Sequence, residues 1–176
     1  MSKATNIFSP LGLAVLTVSD TRTEKNDTSG DYLADSITEA GHHLHHREIV
    51  KDDIYAIRAI ISRWIVEPAI DAVLITGGTG FSGRDSTPEA IGPLFDKHID
   101  GFGELFRQLS YVDIGTSTMQ SRSLAGFANQ TVIFAMPGST GACQLAWQGI
   151  LSEQLDSRHR PCNFHGVLQQ HLKTNQ

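Results

Sequence analysis

A glycine-rich segment, Thr76-Gly77-Gly78-Thr79-Gly80, directly follows a short apolar run. Glycines let successive backbone amides turn toward one point, which favours the binding of anionic oxygens such as those of a phosphate, and the two threonines add hydroxyl donors. Neither the P-loop pattern of common kinases and ATPases nor the dinucleotide pattern Gly-x-Gly-x-x-Gly is present. Two interpretations stay open: a phosphate-binding loop, or a tight strand-to-helix turn without a ligand.

Asp85 lies five residues beyond Gly80 and next to Arg84. A carboxylate close to a bound phosphate would repel it unless a divalent cation lies between the two. Asp85 is therefore a candidate ligand for Mg²⁺. The alternative is that Asp85 and Ser86 only serve the N-terminus of the next helix, and the local sequence taken alone favours that alternative.

Two further segments offer donors to an anion. Pro137-Gly138-Ser139 stands between a predicted strand and a predicted helix, where free amide groups and the positive helix end attract negative charge. Ser139 is equally suited to be a plain helix N-cap. Ser121-Arg122-Ser123 offers one guanidinium among hydroxyls, with a surface salt bridge as its alternative.

The elements that position these residues follow from the pattern of apolar residues. Strands are predicted over residues 11–18, 42–50, 71–75 and 131–135, and all but the second are almost continuously apolar, as is typical of strands covered on both faces. Helical spacing predicts a first helix that begins at residue 31 and ends before Gly41, with Thr28 or Ser29 as its cap. Further helices are predicted over 54–65, 101–109 and 142–150, and one begins at residue 87.

This alternation predicts an α/β fold, a parallel sheet with helices on both faces. In such sheets ligands bind at the carboxyl ends of the strands, where the strand order reverses. The loops at Ser19, at residues 76–80 and at residues 137–140 all follow strands. We therefore expect them to open on the same edge of the sheet.

Composition limits the remaining possibilities. A chain of 176 residues with 40% hydrophobic and 19% charged residues suits one globular domain, and a net charge of -5 argues against a protein that coats nucleic acid. Cys143 and Cys162 cannot form a disulfide framework, and no apolar run approaches the roughly 20 residues of a membrane span. We expect a cytoplasmic protein without nucleic-acid or membrane partners, divided into an N-terminal arm (1–10), an α/β domain (11–155) and a C-terminal tail (156–176).

The histidines His42, His43, His45 and His46 suggest a metal site. In a strand, however, alternation would place His43 and His45 on one face and His46 with Leu44 on the other. The four rings would then not reach one ion, so a solvated edge or a subunit contact is the favoured interpretation.

Seven segments together resemble the MoaB/MogA family of molybdenum cofactor biosynthesis proteins, which bind molybdopterin. Any one of these motifs is unspecific, whereas seven in register over about residues 11–150 are very hard to obtain by chance. The tail segment RPCNFH at residues 160–165 is similar to the MoaB branch in particular. The seven segments are LTVSD (16–20), DTSG (27–30), TGGTG (76–80), Arg84-Asp85 with Thr87-Pro88-Glu89, GFGE (101–104), SRSLAG (121–126) and MPGST (136–140).

The resemblance implies a three-layer α/β/α domain with a mostly parallel sheet, assembled as a trimer or a dimer of trimers. It implies a molybdopterin adenylyltransferase, which uses Mg²⁺ and ATP to transfer AMP to the terminal phosphate of the pterin and releases pyrophosphate. MoaB-branch members need not all be active, so a non-catalytic oligomer that binds molybdopterin or a precursor is the alternative. Trp147 and Phe164 are surface candidates for the subunit interface.

Carried over motif by motif, the resemblance implies Asp52 and Asp85 as catalytic acids, with Asp85 binding Mg²⁺. Asp52 follows Val50-Lys51 where the family has Ile-Pro, which leaves Asp53 as an alternate. Thr76, Gly77, Gly78, Thr79 and Gly80 would contact the nucleotide phosphates. The pocket shared by pterin and nucleotide would be lined by Ser19, Asp20, Asp27, Ser29, Gly30, Glu104, Ser121, Arg122, Ser123, Pro137, Gly138 and Ser139.

Overall fold

The computed structural model describes residues 7–168. Helices separate most of the six strands in this part of the chain. The strands are β1 (Gly12–Val18), β2 (His43–Val50), β3 (Ala72–Thr76), β4 (Lys97–His98), β5 (Leu124–Ala128) and β6 (Thr131–Met136). The helices are α1 (Thr28–Glu39), α2 (Ile54–Trp64), α3 (Thr87–Ile91), α4 (Asp100–Ile114), α5 (Thr140–Ala146) and α6 (Ser152–Gln154), with 3₁₀ turns at Gly92–Leu94 and Gly115–Gln120 and a π-helical turn at Trp147–Leu151.

The strands form one sheet in the order β2-β1-β3-β6-β5-β4. β2, β1, β3 and β6 are parallel, whereas β5 runs antiparallel to β6 and β4 antiparallel to β5. The prediction of a mostly parallel α/β sheet is confirmed. The two antiparallel strands were not predicted, because β4 has only two residues and β5, LAGFA, contains a glycine and small side chains that weaken its pattern.

Two separate hydrophobic cores lie on the two faces of the sheet. Leu13 and Val15 of β1 point into one core with α1, α4 and α5, while Ala14 and Leu16 point into the other with α2 and α3. All seven residues of β1 are buried, which is why its sequence is apolar on both alternating positions. The layers are helix, sheet and helix, as predicted.

Several predicted boundaries need correction. Asp27, rather than Thr28 or Ser29, is the N-cap of α1, because its carboxylate accepts a hydrogen bond from the Gly30 amide at 3.0 Å. Gly41 follows the helix with a φ of +86°, which confirms its predicted place. β3 extends to Thr76, and α4 runs well past residue 109 to Ile114.

The prediction for the face of His46 is wrong, because the pairing of β2 with β1 skips His45. Leu44 pairs with Leu13 and packs on the core of α1, whereas His46 pairs with Ala14 and stacks on Trp64 in the opposite core, at 5.8 Å between ring centroids. His46 also contacts the Glu67 carboxylate at 2.9 Å.

Residues 7–9 contact Ser157 at the opposite end of the sheet from the glycine-rich segment. The Ser9 amide donates to Ser157 Oγ at 2.9 Å, and this hydroxyl donates to the Ile7 carbonyl. Phe164 stacks edge-on against Phe127 and Phe134, and Trp147 is 7% exposed. The suggestion of a surface for subunit contact is therefore wrong for Trp147, which is buried, whereas Phe164 is half-buried. Residues 1–6 of the predicted arm and 169–176 of the predicted tail lie outside the described residues.

Within residues 7–168, no helix is both long enough and apolar enough to cross a membrane.

Candidate functional site

The predicted site residues gather at the carboxyl ends of the parallel strands. β1 lies between β2 and β3, so the strand order reverses between the carboxyl ends of β1 and β3. Ser19 and Asp20 follow β1, Asp52 follows β2, and the glycine-rich segment follows β3. The segment Pro137-Gly138-Ser139 follows β6 at the same edge.

The glycine loop is held tightly by its neighbours. Gly77 and Gly78 have φ angles of +104° and +65°, which side chains disfavour. A Cβ on Gly77 would lie 2.2 Å from the Val18 carbonyl oxygen, and one on Gly138 would lie 3.2 Å from Gly77 Cα. The loop thus fills the space between the end of β1 and the loop after β6.

The two threonines of this loop are buried. Thr76 Oγ1 donates to the Pro137 carbonyl at 3.1 Å and lies 3.1 Å from Cys143 Sγ. Burial raises the pKa of the Cys143 thiol to about 11, so the thiol is neutral in this contact. The Thr76 hydroxyl therefore joins two loops within the protein. The Gly77 amide donates to the Met136 carbonyl at 3.0 Å, which leaves the amides of residues 78–80 as the candidate donors toward an anion.

Asp52 faces the glycine loop, and Asp53 does not. Asp52 Oδ1 accepts hydrogen bonds from the Ser86 amide at 2.9 Å and its hydroxyl at 2.5 Å, while Oδ2 lies 2.7 Å from where a Cβ on Gly78 would stand. Asp53 is the N-cap of α2 and accepts from the Tyr55 and Ala56 amides. The structure thus separates a site acid from a helix cap at adjacent positions.

Asp85 also turns back on the glycine loop. Its Oδ2 accepts from the Ser82 amide at 2.7 Å and lies 2.8 Å from where a Cβ on Gly80 would stand. The N-cap of α3 is Ser86, which makes no side-chain cap bond because its hydroxyl donates to Asp52. Neither Asp85 nor Ser86 caps α3 through its side chain, in contrast to the alternative that the local sequence favours.

Asp20 is paired with the loop after β3. Its Oδ2 contacts Arg84 at 2.7 Å, and its Oδ1 accepts from the Asp52 amide at 3.3 Å. Ser19 Oγ accepts from the Thr21 and Arg22 amides at 3.2 and 3.1 Å. The segments after β1, β2 and β3 are therefore connected to each other by polar contacts.

The Arg122 guanidinium binds protein oxygens. Its Nε donates to the Gly80 carbonyl at 2.7 Å and another nitrogen donates to the Asp85 carbonyl at 3.0 Å, while Glu89 completes a salt bridge. The Arg122 amide also donates to the Thr79 carbonyl. These contacts match the salt-bridge alternative and give Arg122 the role of fixing the glycine loop.

Asp27, Ser29 and Gly30 are buried at the start of α1. Burial raises the pKa of the Asp27 carboxyl, but hydrogen bonds from Thr17, Gly30 and Arg47, with the charge of Arg47, outweigh it and hold the pKa below its usual value. Arg47 lies on β2 and contacts Asp27 at 3.0 Å. No sequence signal indicates this pairing, because the two residues meet only across the folded chain.

Glu104, Ser121 and Ser123 lie where α4 begins beside β5. Gly103 permits the close approach, because a Cβ there would lie 2.4 Å from the Ser123 carbonyl oxygen. Ser121 Oγ and Ser123 Oγ are 2.7 Å apart. A cavity of about 310 Å³ opens here, lined by His98, Ile99, Asp100, Glu104, Arg107, Ser123, Leu124 and Ala125. Arg107, which donates to the Ser121 and Ser123 carbonyls, was not predicted.

Ser139 is the N-cap of α5 and accepts from the Ala142 amide at 3.2 Å. The neighbouring Thr140 hydroxyl lies 2.9 Å from that of Thr28 on α1. Among residues 7–168, no group of three or more histidine, cysteine, aspartate or glutamate side chains is placed to hold a metal ion. Mg²⁺ is commonly bound by one or two carboxylates together with substrate phosphates, which is a smaller protein set.

The chain matches the family model described as probable molybdopterin binding domain over residues 14–157. It is 58% identical over 165 residues to molybdenum cofactor biosynthesis protein B of Escherichia coli K12, covering 94% of this chain and 97% of the relative. It is 46% identical over 142 residues to the protein of the same name from Bacillus subtilis 168, covering 80% and 84%.

Solved structures give the same result. A crystal structure of molybdenum cofactor biosynthesis protein B superposes with a TM-score of 0.84 at 41% identity, covering 93% of this chain and 98% of that one. The tungsten cofactor synthesizing protein MoaB from Pyrococcus furiosus superposes with a TM-score of 0.75 at 35% identity, covering 82% and 92%.

Proposed function

The chain belongs to the family of molybdenum cofactor biosynthesis proteins that carry the molybdopterin binding domain, and from this premise we propose that it is a molybdopterin adenylyltransferase. It binds molybdopterin and ATP at the carboxyl edge of the sheet and transfers AMP to the terminal phosphate of the pterin. The observation that carries this proposal is the position of Asp52 and Asp85, whose carboxylates lie directly against Gly78 and Gly80 of the glycine loop.

This arrangement suits nucleotidyl transfer. The pterin phosphate oxygen forms a bond to the α-phosphorus of ATP, the bond between that phosphorus and the β-phosphate oxygen breaks, and pyrophosphate leaves. The phosphate is already an ionised nucleophile, so positioning and charge stabilisation supply most of the effect and no strong general base is required. The backbone amides of the loop orient the phosphates, and Arg122 keeps that loop in place.

The two carboxylates fit Mg²⁺. Hard oxygen donors are the ligands it prefers, and each carboxylate has one oxygen committed to a hydrogen bond from the segment that follows the glycine loop. When bound, Mg²⁺ would neutralise phosphate charge and polarise the reacting phosphoryl group. Asp52 is held by Ser86 and Asp85 by Ser82, so both acids are oriented before a substrate arrives.

The test is to incubate the protein with molybdopterin, ATP and Mg²⁺ and to measure adenylylated pterin and pyrophosphate. Asp85→Asn is expected to abolish turnover and to leave pterin affinity within about twofold. Asp53→Asn is the control, because this carboxylate is adjacent to Asp52 in the chain but caps α2 instead of facing the loop. Tight pterin binding by the unaltered protein with no product would contradict the proposal and favour the non-catalytic pterin-binding oligomer.

We also propose that the chain forms a homo-oligomer, a trimer or a dimer of trimers, through the outer surface of α4. Large apolar side chains are exposed near the end of this helix, among them Tyr111 at 58%, Val112 at 88% and Met119 at 74%. Exposed apolar groups this close together favour association with another protein surface. This surface replaces the buried Trp147 as the candidate interface.

A further inference from the structure

Phe81 is an exposed aromatic side chain at the edge of the glycine loop. It follows Gly80 directly and leaves 69% of its surface exposed. It packs in neither hydrophobic core. The side chain therefore contributes little to folding, although it stands next to the residues that would bind phosphate.

The orientation of this ring is nevertheless fixed from one side. The Arg122 guanidinium carbon lies 5.2 Å from the centroid of the Phe81 ring, within the range of a cation–π contact. The guanidinium itself is held by the Gly80 and Asp85 carbonyls and by Glu89. One face of Phe81 thus rests on a cation that has little freedom to move.

The exposed 69% of the Phe81 side chain leaves room for a planar group. Gly83, in the same loop, has no atom within 4 Å of the position where its Cβ would stand. The neighbouring Arg84 guanidinium is paired with Asp20. An ordered aromatic face beside a phosphate loop and in open space is what a base or a similar flat ring stacks on.

We propose that Phe81, positioned by Arg122, is a stacking platform for the planar nitrogen heterocycle of a substrate whose phosphates occupy the glycine loop. This inference rests on the proposed function, which supplies two such rings: the adenine of the nucleotide and the pterin. Stacking is tolerant of the identity of the ring, so the same face serves either one. Phe81 is then a binding residue of the site in addition to those that the motifs indicate.

The experiment measures the affinity of three probes by calorimetry for the unaltered chain, Phe81→Ala and Phe81→Leu. The probes are the α,β-methylene analogue of ATP with Mg²⁺, 6-hydroxymethylpterin, and inorganic tripolyphosphate with Mg²⁺. Leucine keeps an apolar side chain and removes the aromatic face. Both variants are expected to lose about tenfold in affinity for the probe whose ring stacks and to bind tripolyphosphate as the unaltered chain does.

The ring-bearing probe whose affinity falls in the variants identifies the ring that stacks on Phe81. Unchanged affinity of Phe81→Leu for both ring-bearing probes would overturn the stacking inference and leave the proposed function standing. An equal loss for tripolyphosphate would also overturn it, because Phe81 would then shape the phosphate loop. If the unaltered chain binds neither ring-bearing probe, the proposed function fails as well.

Discussion

Asp52 accepts two hydrogen bonds from Ser86, one from the amide at 2.9 Å and one from the hydroxyl at 2.5 Å. This contact joins the end of β2 to the start of α3 across 34 positions of the chain. It leaves Asp52 Oδ2 beside Gly78. The orientation of the acid toward the glycine loop therefore depends on a residue that is itself outside the predicted site.

Ser86→Ala removes the hydroxyl donor and keeps the amide donor. A hydrogen bond to a charged group contributes about 1.5–3 kcal/mol, so we expect kcat/KM for adenylylation to fall by about tenfold or more with the fold intact. Ser82→Ala is the matched control, since Asp85 binds the Ser82 amide and not its hydroxyl. Steady-state kinetics and circular dichroism check both variants, and full activity of Ser86→Ala would contradict the positioning role.

Gly78→Ala is expected to damage both the site and the fold. The residue has a φ of +65°, and its Cβ would stand 2.4 Å from Thr87 Oγ1 and 2.7 Å from Asp52 Oδ2. We expect a loss of about 1–3 kcal/mol in the free energy of unfolding and loss of adenylylation. The Cβ that Gly83→Ala adds has no neighbouring atom within 4 Å, so the free energy of unfolding should stay within about 0.5 kcal/mol of that of the unaltered chain. Denaturant unfolding compares the two, and equal stabilities would refute the steric argument.

The sequence predicts the layers of this fold because β1, β3 and β6 are buried on both faces and are therefore apolar at nearly every position. It also predicts the edge that carries the glycine loop, since loops after parallel strands open on the same side. The order of apolar and loop residues along the chain is sufficient to predict both the layers and this edge.

The remaining features depend on contacts between distant residues. Asp52 and Asp53 are adjacent residues of the same type, so the sequence does not distinguish their roles. In the structure Asp52 binds Ser86 and faces the glycine loop, whereas Asp53 caps α2. The sequence does not show that Arg122 donates to the Gly80 and Asp85 carbonyls, because these residues are distant from it in the chain. The skipped pairing at His45 moves His46 to the other face of the sheet, which no alternation rule anticipates.

His42 makes stability depend on pH. It is 5% exposed, its Nδ1 accepts from the Leu11 amide at 3.1 Å, and burial lowers its pKa to about 4. The unfolded chain, with a histidine pKa near 6.5, binds one more proton between pH 4 and 6.5, so the free energy of unfolding falls as the pH falls through that range. The contribution is at most about 3 kcal/mol.

His42→Asn keeps a side-chain acceptor and removes the titration. We expect its unfolding free energy to fall less steeply between pH 6.5 and 4 than that of the unaltered chain, with the two slopes equal above pH 7. His43→Asn is the control, because His43 is exposed. Urea unfolding at a series of pH values measures the slopes, and identical slopes for His42→Asn and the unaltered chain would contradict the role of burial.

Val112→Glu tests the proposed subunit interface. Val112 is 88% exposed on α4, so within one chain the substitution has no packing to disturb and the circular dichroism spectrum should be unchanged. In an oligomer formed through this surface, three copies would each bury a charge against apolar side chains, which is costly without a partner. Light scattering after gel filtration is expected to show a multiple of 19.2 kDa for the unaltered chain and a mass near 19.2 kDa for the variant.

Gln108→Glu, an exposed change on the same helix, should keep the larger mass if the apolar group and not the helix as a whole forms the contact. A variant that assembles as the unaltered chain does would place the interface on another surface.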